Sequence, residues 1–98
     1  MWECRVHMKA RSGKEQGLVS LCEEWMRDAQ SKGCIAVELV VDDSNPFSIT
    51  LNEKWRSKEH FEANAVAEFN DRELMARFQA VCAGMPEVEE ATMGKEES

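Results

Sequence analysis

Residues Trp2 to Lys9 alternate without a break: Trp2, Cys4, Val6 and Met8 fall on one side, and Glu3, Arg5, His7 and Lys9 on the other. Successive side chains of a strand point to opposite faces, so this stretch predicts a strand with one dry and one wet face. Residues 47–55 repeat the pattern, with Phe47, Ile49, Leu51, Glu53 and Trp55 opposite Ser48, Thr50, Asn52 and Lys54. Strands that are apolar on one side only need a second layer to cover that side. This requirement narrows the choice of fold more than any other feature of the chain.

The covering layer is visible where the period changes. Leu18, Leu21, Cys22, Trp25, Met26 and Ala29 recur at helical spacing, while Glu23, Glu24, Arg27, Asp28 and Lys32 fill the wet side. Ser12 with Glu15 predicts a capping box at the start of this helix, and Gly33 a left-handed stop at its end. Residues 34–41 predict a second strand, with Ile35, Val37, Leu39 and Val41 on one face. The turn cluster Asp42-Asp43-Ser44-Asn45-Pro46 then predicts an antiparallel hairpin into residues 47–55. Ser57 is placed to cap a short helix carrying Phe61, Ala65 and Val66. Asn70 and Glu73 predict a second capping box, ahead of a helix that buries Leu74, Met75, Phe78, Val81 and Cys82 and stops at Gly84. Residues 85–93, with Met85, Val88 and Ala91, predict a weaker last strand.

The order is β-α-β-β-α-β with the second helix broken in two. That is the ferredoxin-like α+β arrangement, a four-stranded antiparallel sheet with its helices on one face. Residues 1–93 read as a single domain and 94–98 as a loose tail.

Composition sets limits on function. The 98 residues carry a net charge of −7, with a pI near 4.8. Nucleic acid and anionic membrane surfaces repel such a chain. Its longest apolar run, Cys34 to Val37, is far shorter than a membrane span. The N-terminus lacks the apolar core of a secretory leader, so a cytoplasmic protein is expected. Cys4, Cys22, Cys34 and Cys82 show no Cys-x-x-Cys spacing and read as free, buried thiols. His7 and His60 lack paired ligand spacing, so no metal site is expected. A chain this short covers its core poorly alone, which favours a partner subunit.

Several residues invite two readings. Trp55 is either a core anchor or an aromatic wall for a flat ligand. Glu53 shares the apolar strand face, where a carboxylate is costly unless paired; it is either ion-paired at the helix side or a base whose pKa burial raises. His60 and Asn64 stand one helical turn apart. Either both are surface residues, or Asn64 binds a substrate oxygen beside a titrating imidazole. His7, on the charged strand face, reads as a surface or interface residue. Met8, Met26, Met75 and Met85 suit an adaptable apolar lining as well as an ordinary core. Phosphate-binding glycine loops and nucleophile elbows are absent from the sequence.

Gly13-Lys14-Glu15, Gly33-Cys34-Ile35 and Val37-Glu38-Leu39 resemble the pattern Gly-Lys-Glu, Gly-Cys, Tyr-Glu-Leu, and Glu53-Lys54-Trp55-Arg56-Ser57 resembles Glu-x-Trp-x-Ser. These stretches, between residue 4 and about residue 88, are similar to the antibiotic biosynthesis monooxygenase family of dimeric α+β barrels. The resemblance implies a homodimer that packs sheet against sheet, with a pocket in each subunit between sheet and helices. Several members of the family oxidise polycyclic phenols or quinols without metal or flavin; others isomerise a small sugar-derived signal, and one branch degrades haem. This chain departs from the pattern at Asn64 and Phe69, where the family often carries His, and at Val37, where it carries Tyr. Val6 stands nearest the Asn that the haem-degrading branch places on its first strand.

The resemblance therefore implies a cofactor-independent monooxygenase acting on a small aromatic. Trp55, Phe61, Phe69, Trp25 and Phe78 would form the walls, Asn64 would bind oxygen, and Glu53 or His60 would take the proton. The other reading is a non-catalytic ligand-binding or scaffold dimer that has lost the family His and Tyr.

Overall fold

The structure, a computed structural model, describes residues 1–91. Its elements are β1 (Trp2–Lys9), α1 (Glu15–Arg27), a 3-10 turn (Ala29–Lys32), β2 (Cys34–Asp42), β3 (Ser48–Trp55), α2 (Lys58–Phe69), α3 (Arg72–Val81) and β4 (Glu87–Glu90). The four strands form one antiparallel sheet in the order β2-β3-β1-β4, the ferredoxin-like topology.

The alternation in β1 and β3 does what the pattern requires. Trp2 lies opposite Trp55, Cys4 opposite Glu53, Val6 opposite Leu51 and Met8 opposite Ile49. All eight are buried, and Leu18 and Cys22 of α1 join the same core. The other face of the sheet is polar. There His7 Nδ1 meets Thr50 Oγ1 at 3.0 Å, and Glu89 takes Arg5 at 3.4 Å and His7 at 3.1 Å.

The helix starts differ from expectation. Gly13, at φ 79°, closes a turn in which Lys14 N donates to Arg11 O at 2.9 Å. Ser12 is consumed by that turn, so α1 begins at Glu15 without a side-chain cap. The Glu15 carboxylate instead accepts from Gly13 N at 3.3 Å. At α3 the cap is Asp71, which accepts from Leu74 N at 3.1 Å, while Asn70 closes α2. Ser57 caps α2 as expected, accepting from His60 N at 3.2 Å. Gly33, at φ 98°, ends the 3-10 turn.

Strand β2 departs from strict alternation. A bulge between Cys34 and Ala36 places Cys34 opposite Trp55 and Val37 opposite Glu53. Two residues of one strand then face one of the next, and the side-chain phase shifts. Cys34 takes the inward place expected for Ile35, which is 40% exposed. Helix α3 also differs: Leu74, Met75, Phe78 and Val81 are only half-buried, and Cys82 just beyond the helix is the one buried residue of that stripe. The last strand is shorter than expected and ends at Glu90. Residues 92–93 of the expected domain and the expected loose tail, 94–98, lie outside the described residues.

Candidate functional site

The half-buried stripe of α3 borders open space. A cavity of about 820 Å³ lies between the apolar sheet face and the helices. That volume is within the range of small-molecule sites. Its aromatic walls come from every layer: Trp25 from α1, Trp55 from β3, Phe61 and Phe69 from α2, and Phe78 from α3. The rings of Trp25 and Trp55 lie 6.3 Å apart and tilted, and Trp55 meets Phe61 edge-on at 5.6 Å. Tilted and edge-on pairs at such distances are the favoured aromatic geometry. Met8, Met75 and Met85 border the same space; Met26 does not. A smaller hollow of about 400 Å³ lies over the polar face of the sheet, lined by Glu3, Arg5, Glu38 and Lys54 among others.

Glu53 stands on the cavity floor and is 6% exposed. Strand alternation puts it there, between Leu51 and Trp55 on the inward face. Trp55 Nε1 donates to its Oε1 at 2.8 Å, and Cys4 Sγ donates to the same oxygen at 3.6 Å. Both bonds end on Oε1, which leaves Oε2 for a ligand. Burial pushes the carboxyl up to about 7; the Trp55 and Cys4 bonds pull it down, and the charge of Glu68 adds to the rise. A carboxyl poised near neutrality can take a proton and return it. The thiols around it behave differently. Burial pushes Cys22 up to about 12 and Cys34 up to about 11, and it raises Cys4 further, with the neighbouring Glu53 adding to that rise. Neutral thiols are poor nucleophiles and poor metal ligands.

Asn64 lines the cavity from α2 and is half-buried. His60 does not line it: its Nδ1 sits 2.7 Å from Ser57 Oγ at the start of α2, and its ring packs over Gly33. A Cβ at Gly33 would stand 3.0 Å from His60 Cδ2, so this approach needs a glycine. Two residues of the site carry no role in the sequence pattern. Glu68 accepts a hydrogen bond from Trp25 Nε1, tying α1 to α2 across the cavity. It follows Asn64 by one helical turn, so helical spacing places it on the same face. Cys4 is the other: it does not line the cavity, but it pairs in register with Glu53 and hydrogen-bonds to it. Among the described residues no cluster of His, Cys, Asp and Glu is arranged to hold a metal ion, and no helix is long and apolar enough to cross a membrane.

Comparison with known proteins agrees with this architecture. The family model described as antibiotic biosynthesis monooxygenase matches residues 1–81. A crystal structure of an antibiotic biosynthesis monooxygenase superposes with a TM-score of 0.75 at 17% identity, over 94% of this chain and 97% of that one. A putative antibiotic biosynthesis monooxygenase from Chloroflexus aurantiacus gives 0.70 at 23% identity, over 93% and 90% of the two chains. One from Bordetella bronchiseptica gives 0.75 at 15%, over 93% and 94%. At these identities the superpositions establish the fold. No curated protein matches the sequence.

Proposed function

The chain belongs to the antibiotic biosynthesis monooxygenase family, and from that we propose that it is a cofactor-independent monooxygenase of a small aromatic, a quinol or polycyclic phenol. The observation that carries this reading is Glu53. A buried carboxyl at about 7, anchored by one oxygen on the floor of an aromatic cavity, suits a general base.

The ring lies against Trp55 and Phe61, and the Asn64 amide donates to the ring oxygen. Glu53 Oε2 takes a proton from the ring system and leaves an electron-rich carbanion conjugated with the bound oxygen. That anion passes one electron to O₂, and the resulting radicals combine to form a carbon–oxygen bond. The peroxide is protonated by Glu53 and then loses water, leaving a carbonyl. One oxygen atom ends in the product and the other in water, so CH₂ plus O₂ gives C=O plus H₂O. Buried Trp55 and half-buried Trp25, Phe61 and Phe78 shield the anion from bulk water on the sheet side, while Phe69 is 68% exposed.

The polar sheet face supports a homodimer. Ala36, Glu38, Val40 and Thr50 stand on it, Val40 is 45% exposed, and the smaller hollow opens there. Light scattering should give twice the 11.2 kDa chain mass; a single-chain mass at tens of micromolar refutes the pairing. Free thiols at all four cysteines support a reducing, cytoplasmic setting.

Oxygen uptake with a panel of quinols and polycyclic phenols, in chelator-treated buffer without flavin, tests the activity. Uptake matched by product is expected. Binding of several compounds, seen as tryptophan quenching, with no uptake from any of them would favour a ligand-binding dimer instead.

A further inference from the structure

The charges around the cavity do not balance. Its bordering acidic groups are Glu24, Asp28, Glu53, Glu68 and Asp71, against the single basic Lys32. Three of the acids already have work. Glu24 holds Arg77 at 2.8 Å, Asp28 holds Lys32 at 3.1 Å, and Asp71 caps α3. Among the described residues Glu53 and Glu68 form no ion pair. Both face the same space, and the charge of each opposes that of the other. Between them stand Trp25, hydrogen-bonded to Glu68, and Trp55, hydrogen-bonded to Glu53. Phe61 closes a third side, 5.6 Å from Trp55 and backed by Trp2 at 4.9 Å.

Aromatic faces and two carboxylates that form no ion pair suit an organic cation; the one basic neighbour, Lys32, stands over the Trp25 ring at 5.8 Å and is held by Asp28. We propose that the cavity selects an aromatic ligand carrying a protonated amine, with the ring system against Trp55 and Phe61 and the ammonium held by Glu68 within the field of Glu53. This rests on the cavity being the substrate site of the reaction proposed above, and it names the class of aromatic admitted there. An ammonium group supplies donors to the Glu68 oxygen that Trp25 leaves free, and Glu53 Oε2 stays open to the ring. The ammonium relieves the repulsion between the two carboxylates. A carboxylate-bearing ligand of the same shape meets repulsion from both.

Three naphthalene probes of nearly equal size separate the possibilities: 1-naphthylmethylammonium, 1-naphthylmethanol and 1-naphthoate. Binding is read by tryptophan quenching on the full chain near pH 8, in about 0.5 M salt, which screens surface charge but not a buried pair. The ammonium probe is expected to bind roughly tenfold more tightly than the alcohol, with the carboxylate weakest. Glu68→Gln keeps an acceptor for the Trp25 indole and should bring ammonium and alcohol to within roughly threefold of each other. Glu59→Gln removes the same charge from an exposed site outside the cavity and should leave the preference intact. Equal binding of ammonium and carboxylate, an unchanged preference in Glu68→Gln, or no binding of any probe overturns the inference. Failure of oxygen uptake with the ammonium preference intact overturns only the monooxygenase reading. Turnover of neutral phenols without that preference overturns only the cation selection.

Discussion

Glu53→Gln should make the protein more stable while removing the proposed general base. Glutamine keeps an acceptor for the Trp55 indole and fills nearly the same volume, but it does not titrate. In the folded protein the Glu53 carboxyl lies at about 7, against an ordinary 4.5. The folded state therefore holds this proton more tightly than the unfolded chain does. The group's contribution is full below 4.5 and is lost as pH rises through 7, because ionisation in place is the costly step. At about 1.4 kcal/mol per tenfold, the whole rise corresponds to about 3 kcal/mol. Water entering the cavity reduces it, so about 1–3 kcal/mol is expected, most of it developing between about pH 5 and pH 8.

The groups facing Glu53 are Cys4 from β1, Cys34 from β2, Cys22 from α1 and Glu68 from α2. The three thiols are all pushed upward and stay protonated over this range. Urea unfolding of wild type and variant, at one protein concentration and at several pH values, is the assay. The two should be nearly equal near pH 5, and the variant should be ahead near pH 8 by an amount worth several degrees in Tm. A difference that stays flat across this range, or a variant that is weaker near pH 8, refutes the account of Glu53. A gain in stability with loss of turnover is the trade expected of a group held in a costly state for its chemistry.

Gly17→Ala sets helix propensity against packing: the new Cβ would stand 2.9 Å from Val81 Cγ1. Alanine gains about 1 kcal/mol of helix propensity, but crowding a branched side chain that is stiff at χ1 costs about 1–3 kcal/mol. A net loss of about 1 kcal/mol should show in thermal unfolding by circular dichroism, and a raised Tm would contradict it. The four cysteines are free and buried. A thiol reagent should therefore find almost none of them in native protein and all four after unfolding without reductant; fewer after unfolding would mean disulfides.

The parts of the fold that were legible in the sequence are those with uninterrupted periods. Trp2 to Met8 and Ile49 to Trp55 point inward as alternation requires, because β1 and β3 pair without a register shift. Alternation misplaces Ile35 because a period of two assumes unbroken pairing, and the bulge between Cys34 and Ala36 interrupts it. At α3 the sequence pattern points to Asn70, one residue before the actual cap, because Asn70 and Asp71 are both competent caps and only the chain path chooses between them. The stripe of α3 has the spacing of a core helix, yet it borders a cavity; amphipathicity reports an apolar face, not whether that face is filled. Glu53 stood out because a carboxylate on an apolar face is costly. Its partner Cys4 is 49 residues away along the chain, and no local pattern joins them.

In the proposed reaction Glu53 deprotonates an aromatic in this cavity so that it reacts directly with O₂. The most direct test is single-turnover oxidation of an accepted phenol or quinol under ¹⁸O₂, with wild type and Glu53→Gln compared in chelator-treated buffer. The account predicts one labelled oxygen in the wild-type product and the other in water, with the variant still quenching its tryptophans on binding but forming product at least about a hundredfold more slowly. Unlabelled product, or equal rates in the two proteins, would contradict it.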